Sequence, residues 1–346
     1  MLNSSEKSST RSNRGPRRAA WRSCSTIRVL VCLLVAILII ALAIGLGVGL
    51  TRGDNGKGKQ DTAATPSTSG NNTVTTPPTS GNNTVVTPPT MGNQSVNSTV
   101  KLWQPDVGTT WQIELEYPLN DTSYEVDVYD IDMFDNDASM IATLQNQGRK
   151  VICYFSAGSY ENWRPDAYKF KDSDLGYPLD GWPGERWLNI SSSNVRQIML
   201  SRLDLAKTKG CDGVDPDNTD GYDNDNGLGL TQDDSINFVN FLAKATHNLN
   251  MSLGLKNSGS IIPRVIGNMQ WSVNEQCVQY DECITYAPFI DNGKPVFHIE
   301  YPKGDNTNDN NNVTMAQKNT ACTNIDARNF STVIKNIDLD NWIETC

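Results

Sequence analysis

Carboxylates gather at the ends of strand-like runs in the C-terminal part of the chain. Asp130 and Asp132 close EVDVYDID, Asp215 and Asp217 end CDGVDPD, and Lys256-Asn257 ends MSLGLKN. Glu275 follows QWSVN, and Glu300-Tyr301 ends PVFHIEY. One acid after a strand is ordinary turn chemistry, since its side chain can bond the nearby backbone. Six such positions at successive strand ends point to a shared rim. Strand alternation gives Asp130 and Asp132 one face, as it does Asp215 with Asp217 and His298 with Glu300. Such a rim can hydrolyse a glycosidic bond, with one carboxylic acid at the leaving oxygen and one carboxylate as nucleophile or base. Flat aromatic faces suit sugar rings, and Trp111, Tyr154, Tyr160, Trp163, Trp182, Trp187, Trp271 and Tyr301 supply them. The stretch 158–189 reads as a long irregular loop, the best candidate for a cleft wall.

Other chemistries fit poorly. Two histidines, His247 and His298, stand far apart, which argues against a His-rich zinc site. The run Asp215, Asp217, Asp220, Asp223, Asp225 fails the EF-hand spacing, because Asp220 stands where that calcium loop needs glycine. No metal or other cofactor is expected. A formal net charge of −10 argues against a nucleic-acid partner. The acidic 215–225 loop would instead attract a cationic substrate.

Positioning this rim requires a parallel sheet. Strand-like runs at 111–115, 125–132, 150–156, 211–215, 251–256, 270–274, 295–300 and 330–335 alternate with helical patterns. Ala138–Gln147 stops at Gly148, Val195–Ala206 repeats apolar residues at helical spacing, and Thr231 to Asp234 resembles a capping box. A dinucleotide-binding sheet would show a Gly-rich phosphate turn, which the sequence lacks. The expected class is α/β, a (β/α)8 TIM barrel over residues 101–346.

The preceding segments carry different instructions. Residues 1–28 hold seven basic groups and one acid and read as a disordered cytoplasmic tail. Residues 29–50 are uncharged and long enough to span a bilayer as a signal anchor. The denser basic cluster before the span predicts a single-pass type II protein at the cell membrane, its domain extracellular and open to shedding. Residues 51–100 contain TSGNNTVTTPP and TSGNNTVVTPP in tandem and read as a disordered, glycosylated stalk. Sequons recur in the stalk and at Asn120, Asn189, Asn250, Asn312 and Asn329. Six cysteines follow the stalk, and proximity favours Cys277–Cys283 and Cys322–Cys346, with Cys153–Cys211 third.

The motifs CYFSAGSYENWRPD (153–166), GWPGERWL (181–188), KGCDGVDPDNTDGY (209–222), GLKN (254–257), NEQC (274–277) and IEYPKG (299–304) resemble glycoside hydrolase family 114 from about Trp103 to Tyr301. The resemblance implies a barrel with endo-α-1,4-polygalactosaminidase activity on galactosamine-containing exopolysaccharide. It carries the catalytic roles onto Asp217 in DPDN and Glu275 in NEQC. The family form has Glu where Asp215 stands, a conservative departure. Glu275 is expected to be the acid, its neutral form favoured by burial beside Trp271. Asp132, Tyr154, Asp215, Asn218, Asp220, Lys256, Glu300 and Tyr301 are expected to bind substrate, with Glu300 in reserve for catalysis. A non-catalytic surface polysaccharide-binding protein is the alternative. No obligate protein partner is evident.

Overall fold

The computed structural model describes residues 101–304 and 309–346. The expected tail, membrane span and stalk therefore lie outside the described residues. Among the described residues, no helix is long and apolar enough to cross a membrane.

In chain order the strands are β1 (Trp111–Glu114), β2 (Val128–Asp132), β3 (Lys150–Ser156), β4 (Ser159–Glu161), β5 (Leu175–Pro178) and β6 (Glu185–Leu188). They continue as β7 (Gly213–Asp217), β8 (Ser252–Lys256), β9 (Trp271–Glu275), β10 (Val296–Glu300), β11 (Ser331–Lys335) and β12 (Ile343–Thr345). One nine-stranded sheet runs β1-β2-β3-β7-β8-β9-β10-β11-β12, with its first eight strands parallel and β12 antiparallel on β11. The sheet curls into a nearly closed barrel. At the seam, Trp111 Nε1 donates to Ser331 O at 2.7 Å, and Ser331 Oγ donates to Thr109 O at 2.7 Å.

Period-2 alternation divides the core. Inward residues Trp111, Val128, Ile152, Trp271, Val273 and Phe297 fill the barrel. Outward residues such as Ile131, Val151, Phe155, Val214 and Leu253 belong to the cluster that includes Leu203 and Leu242 of the surrounding helices. Helix Ser193–Lys209 is capped by the Ser192 hydroxyl and ends at left-handed Gly210. Helix Gln232–Asn248 starts with the expected Thr231/Asp234 capping box.

The expected boundaries need three corrections. The fourth parallel strand begins at Gly213, because residues 210–212 are used by the helix-ending turn and by Asp212, which accepts from Val151 N at 3.0 Å. That shift brings Asp217 into the strand. Not every strand is followed by a full helix: Ile262–Val265 and Ala287–Asp291 are little more than single turns. The stretch 158–189 is not irregular, since β4, β6 and β5 form a small antiparallel sheet there. All three expected disulfides are present, Cys153–Cys211, Cys277–Cys283 and Cys322–Cys346.

Candidate active site

Successive strand ends bring Asp217 (β7), Lys256 (β8) and Glu275 (β9) together at the carboxyl end of the barrel. The Lys256 ammonium, buried to 2 % exposure, lies 3.2 Å from Asp217 Oδ1 and 3.1 Å from Glu275 Oε2. Tyr154, from β3, donates to Asp217 Oδ2 at 2.8 Å. Tyr301, just past β10, donates to Glu275 Oε1, and Asn257 Nδ2 donates to Glu275 Oε2 at 3.1 Å. Asn257 is the residue of this ring left out of the expected set. Its side chain also accepts the Glu275 backbone N–H at 3.0 Å. The backbone is fitted closely around the pair. Ala157 and Gly158 both donate to the Asp217 carbonyl, and a Cβ on Gly158 would stand 1.7 Å from Asn218 O. Asn218 itself is left-handed, at φ 59°, a conformation Asn tolerates better than most residues.

Burial alone would raise the Glu275 carboxyl. The Lys256 charge and the bonds from Tyr301, Asn257 and Lys256 outweigh it and hold the group below its ordinary range. The expected reason for an acidic Glu275 therefore fails. Trp271 sits at the other end of the same strand and faces the barrel interior, where Cβ atoms on Gly213 or Gly254 would strike its indole. Trp271 is packing, as is Trp111, stacked on Phe297 at 4.9 Å.

Asp215 lies one layer beneath, wholly buried against Asp130. Among the described residues no other group donates to either carboxyl, so a proton held between the two is the bond left to the pair. Burial, with Asp217 and Glu275 nearby, pushes Asp215 up to about 7 against the pull of Lys256; burial and Asp215 raise Asp130 well above its usual range. The native state thus holds a proton that an unfolded Asp215, ordinarily at 3.8, releases, so stability falls as pH rises from about 4 to 7. Asp215→Asn removes that charge. Its unfolding temperature relative to wild type should be more favourable at pH 8 than at pH 5, and a pH-independent difference in a thermal melt would refute the raised Asp215 carboxyl.

Asp217, Lys256, Asn257 and Glu275 line a cavity of about 480 Å³. Trp163, Leu179 and Trp182 wall it on one side, all from the segment expected to form the cleft wall. Of the other expected binding residues, Asp132, Tyr154 and Asn218 line this cavity, and Asp220 lines the groove beside it. Asp132 is already clamped by Arg164, with Arg164 Nη1 3.0 Å from its Oδ1. Asp215, Glu300 and Tyr301 stand behind the lining. Glu300 accepts from Val278 N at 2.8 Å and lies 2.9 Å from His298 Nε2, bonds that turn it away from the cavity. Glu185 was not foreseen: it lines the cavity, accepts from Ser159 Oγ at 2.8 Å, and is pushed up to about 7, chiefly by burial. Eight carboxylates and two cations face the cavity, which makes it strongly acidic.

Paired carboxylates at the carboxyl end of a barrel-like parallel sheet, beside aromatic walls, define a carbohydrate-cleaving enzyme. The sequence profile of glycoside-hydrolase family GH114 matches residues 92–346, and the chain belongs to that family. The match runs to the C-terminus, beyond the Tyr301 limit of the motif resemblance. Ega3 of Aspergillus fumigatus, solved in complex with galactosamine, is 73 % identical, with a TM-score of 0.70 over 70 % of this chain and 97 % of that one. The glycoside hydrolase domain of PelA from Pseudomonas aeruginosa is 12 % identical, with a TM-score of 0.52 over 68 % of this chain and 98 % of that one, a likeness of fold alone. No curated protein matches the chain.

Proposed function

We propose that this hydrolase cleaves α-1,4-linked galactosamine within galactosamine-containing exopolysaccharide, on a (β/α)8 barrel, with Asp217 and Glu275 dividing the acid and nucleophile roles. The observation that carries the reading is the single ammonium of Lys256 touching both carboxylates. Its two contacts, 3.2 and 3.1 Å, cap the separation of the facing oxygens at about 6.3 Å, a bound that admits the roughly 5–5.5 Å of a retaining pair, and we read the pair as retaining. In the first step one carboxyl protonates the leaving glycosidic oxygen while the other attacks C1 to form a glycosyl ester; water then attacks C1, breaks that ester and gives its proton to the first group. Tyr154, Tyr301, Lys256 and Asn257 aim the pair. Asn218 and Asp132 shape the cavity, while Asp215 and Glu300 act from behind it.

The sugar is argued from charge and likeness. A deacetylated galactosamine unit is an ammonium ion, the acidic cavity suits it, and the 73 % identical Ega3 was solved with galactosamine. We further propose a type II anchor at residues 29–50 holding the domain outside the cell. Three disulfides support an oxidising compartment.

The purified full chain should release a ladder of oligosaccharides from deacetylated α-1,4-galactosamine polymer, read by mass spectrometry. The fully acetylated polymer should be cleaved more slowly. Salt at 1 M, where the screening length is about 3 Å, should slow the deacetylated reaction. Release of monosaccharide alone, or no new reducing ends, overturns the proposal.

A further inference from the structure

The carboxylate of Glu275 is only as well placed as the chain that follows it. Strand β9 ends there, Gln276 turns through the left-handed region at φ 63°, and Cys277–Tyr280 makes a single helical turn. Four residues cannot hold a helical turn by their own hydrogen bonds. A left-handed glutamine persists only where its surroundings over-determine it. The restraint must come from elsewhere in the fold.

It comes from three successive residues at the end of β10. Ile299 O accepts from Gln276 N at 2.8 Å, Glu300 Oε1 accepts from Val278 N at 2.8 Å, and the Tyr301 hydroxyl donates to Glu275 Oε1. Strand alternation sets which side each one holds. Ile299 and Tyr301 pack in the barrel interior, so Tyr301 meets the Glu275 side chain there. Glu300 points to the opposite face and catches the turn behind the catalytic group. Gln276 gives that turn no side-chain cap, so the Glu300 carboxylate takes the place of one on a donor the helix leaves open. Glu300 is fixed in its turn by His298. His298 Nε2 lies 2.9 Å from Glu300 Oε1, and His298 Nδ1 lies 2.9 Å from Thr332 Oγ1 on β11. The Nε2–H tautomer satisfies both contacts, donating to the carboxylate and accepting from the hydroxyl. His298 is fully buried and Glu300 nearly so. The Cys277–Cys283 disulfide ties down the same turn, with Cys277 Sγ 3.3 Å from His298 Nε2.

We propose that Glu300, held by His298, is a positioning residue: it fixes the turn after β9 and so sets the Glu275 carboxylate against Tyr301 and Lys256, without touching substrate. Glu300 lies outside the cavity lining, so its route to the reaction runs through Glu275. The inference rests on the proposed function, because it takes Glu275 as one of the two reacting carboxylates. A misplacement of about 1 Å at a reacting group can cost about 10²-fold in rate.

Glu300→Ala should lower kcat on the polymer about 10²-fold, with KM nearly unchanged because no cavity-lining group is lost. Glu300→Gln keeps an oxygen for the Val278 N–H and should restore most of the rate. Glu300→Asp, its carboxylate one methylene short, should not, and it carries the same comparison if Glu300→Ala fails to fold. Rates are measured well below each variant's melting temperature, where lost stability alone does not slow turnover. Loosened bonds from Tyr301 and Lys256 should also raise the Glu275 carboxyl that they hold low. That shift is read without turnover by carbon-13 NMR titration, the resonance assigned with Glu275→Gln. The two failures separate. If Glu275→Gln turns over as wild type, the function reading fails, and the titration alone still tests the positioning of Glu275. If Glu275→Gln is inactive, a wild-type rate or an unmoved titration in Glu300→Ala overturns the positioning role alone. A Glu300→Gln as slow as Glu300→Ala also overturns it, since the charge of Glu300 would then be part of the chemistry.

Discussion

Asp217→Asn and Glu275→Gln are each expected to lower kcat on the polymer by about 10²–10⁴-fold. Both replacements keep shape and remove only the group that can ionise. Tyr154 and Asn257 still have an oxygen to bond, and Lys256 keeps one of its two carboxylates, so each variant should melt within a few degrees of wild type. Near-wild-type turnover in either variant removes that residue from the chemistry. Tyr301→Phe reports which role Glu275 plays. The Tyr301 hydroxyl is one of the bonds holding Glu275 low, so its loss should move the Glu275-controlled limb of the pH–rate profile upward. If Glu275 must be ionised to act, the acidic limb moves; if it must carry a proton, the alkaline limb moves. An unmoved profile would show that the phenol does not tune this carboxylate.

The rim was legible because period-2 alternation is a local property. Once β7 and β9 were recognised as strands, Asp215 and Asp217 had to share a face, and Glu275 had to fall at a strand end. Alternation does not give depth. Asp215 and Asp217 point the same way, yet one is sealed in the barrel and the other opens on the cavity, because the barrel's filling differs layer by layer. The same blindness misplaced Trp271. An aromatic four residues from a carboxylate looks adjacent in sequence but lies about 13 Å away along a strand rising about 3.3 Å per residue. The small sheet escaped notice for a different reason. Its strands are three or four residues long, with Gly176 and Pro178 inside one of them, too short and too interrupted to show a period. The cavity's acidity was foreseen in sign, but from the 215–225 loop. Much of it comes from Glu116, Glu161, Glu185 and Asp338 on other loops and strands, which only the closed fold gathers.

Arg164→Met is expected to be among the most destabilising single changes in the cavity wall, by about 3–5 kcal/mol. Arg164 is 6 % exposed and binds two carboxylates that are more deeply buried still, Asp132 at 1 % and Glu161 at 3 %. Arg164 Nε donates to Glu161 Oε2 at 2.8 Å and Arg164 Nη1 to Asp132 Oδ1 at 3.0 Å, while its guanidinium lies 4.9 Å from the Phe134 ring centre. Methionine keeps much of the volume against Phe134 but strands two negative charges away from water. For a domain of this size the loss corresponds to a fall in melting temperature of roughly 10 °C. The cost should lie in the stranded charges rather than in the pair's own attraction, because desolvating an ion pair offsets much of what the pair gains. Asp132→Asn/Glu161→Gln/Arg164→Met, which leaves none of the three charges, should therefore recover a large part of the lost stability. A triple variant no more stable than Arg164→Met would place the cost in packing, and an Arg164→Met melt matching wild type would show that the clamp contributes little to the fold.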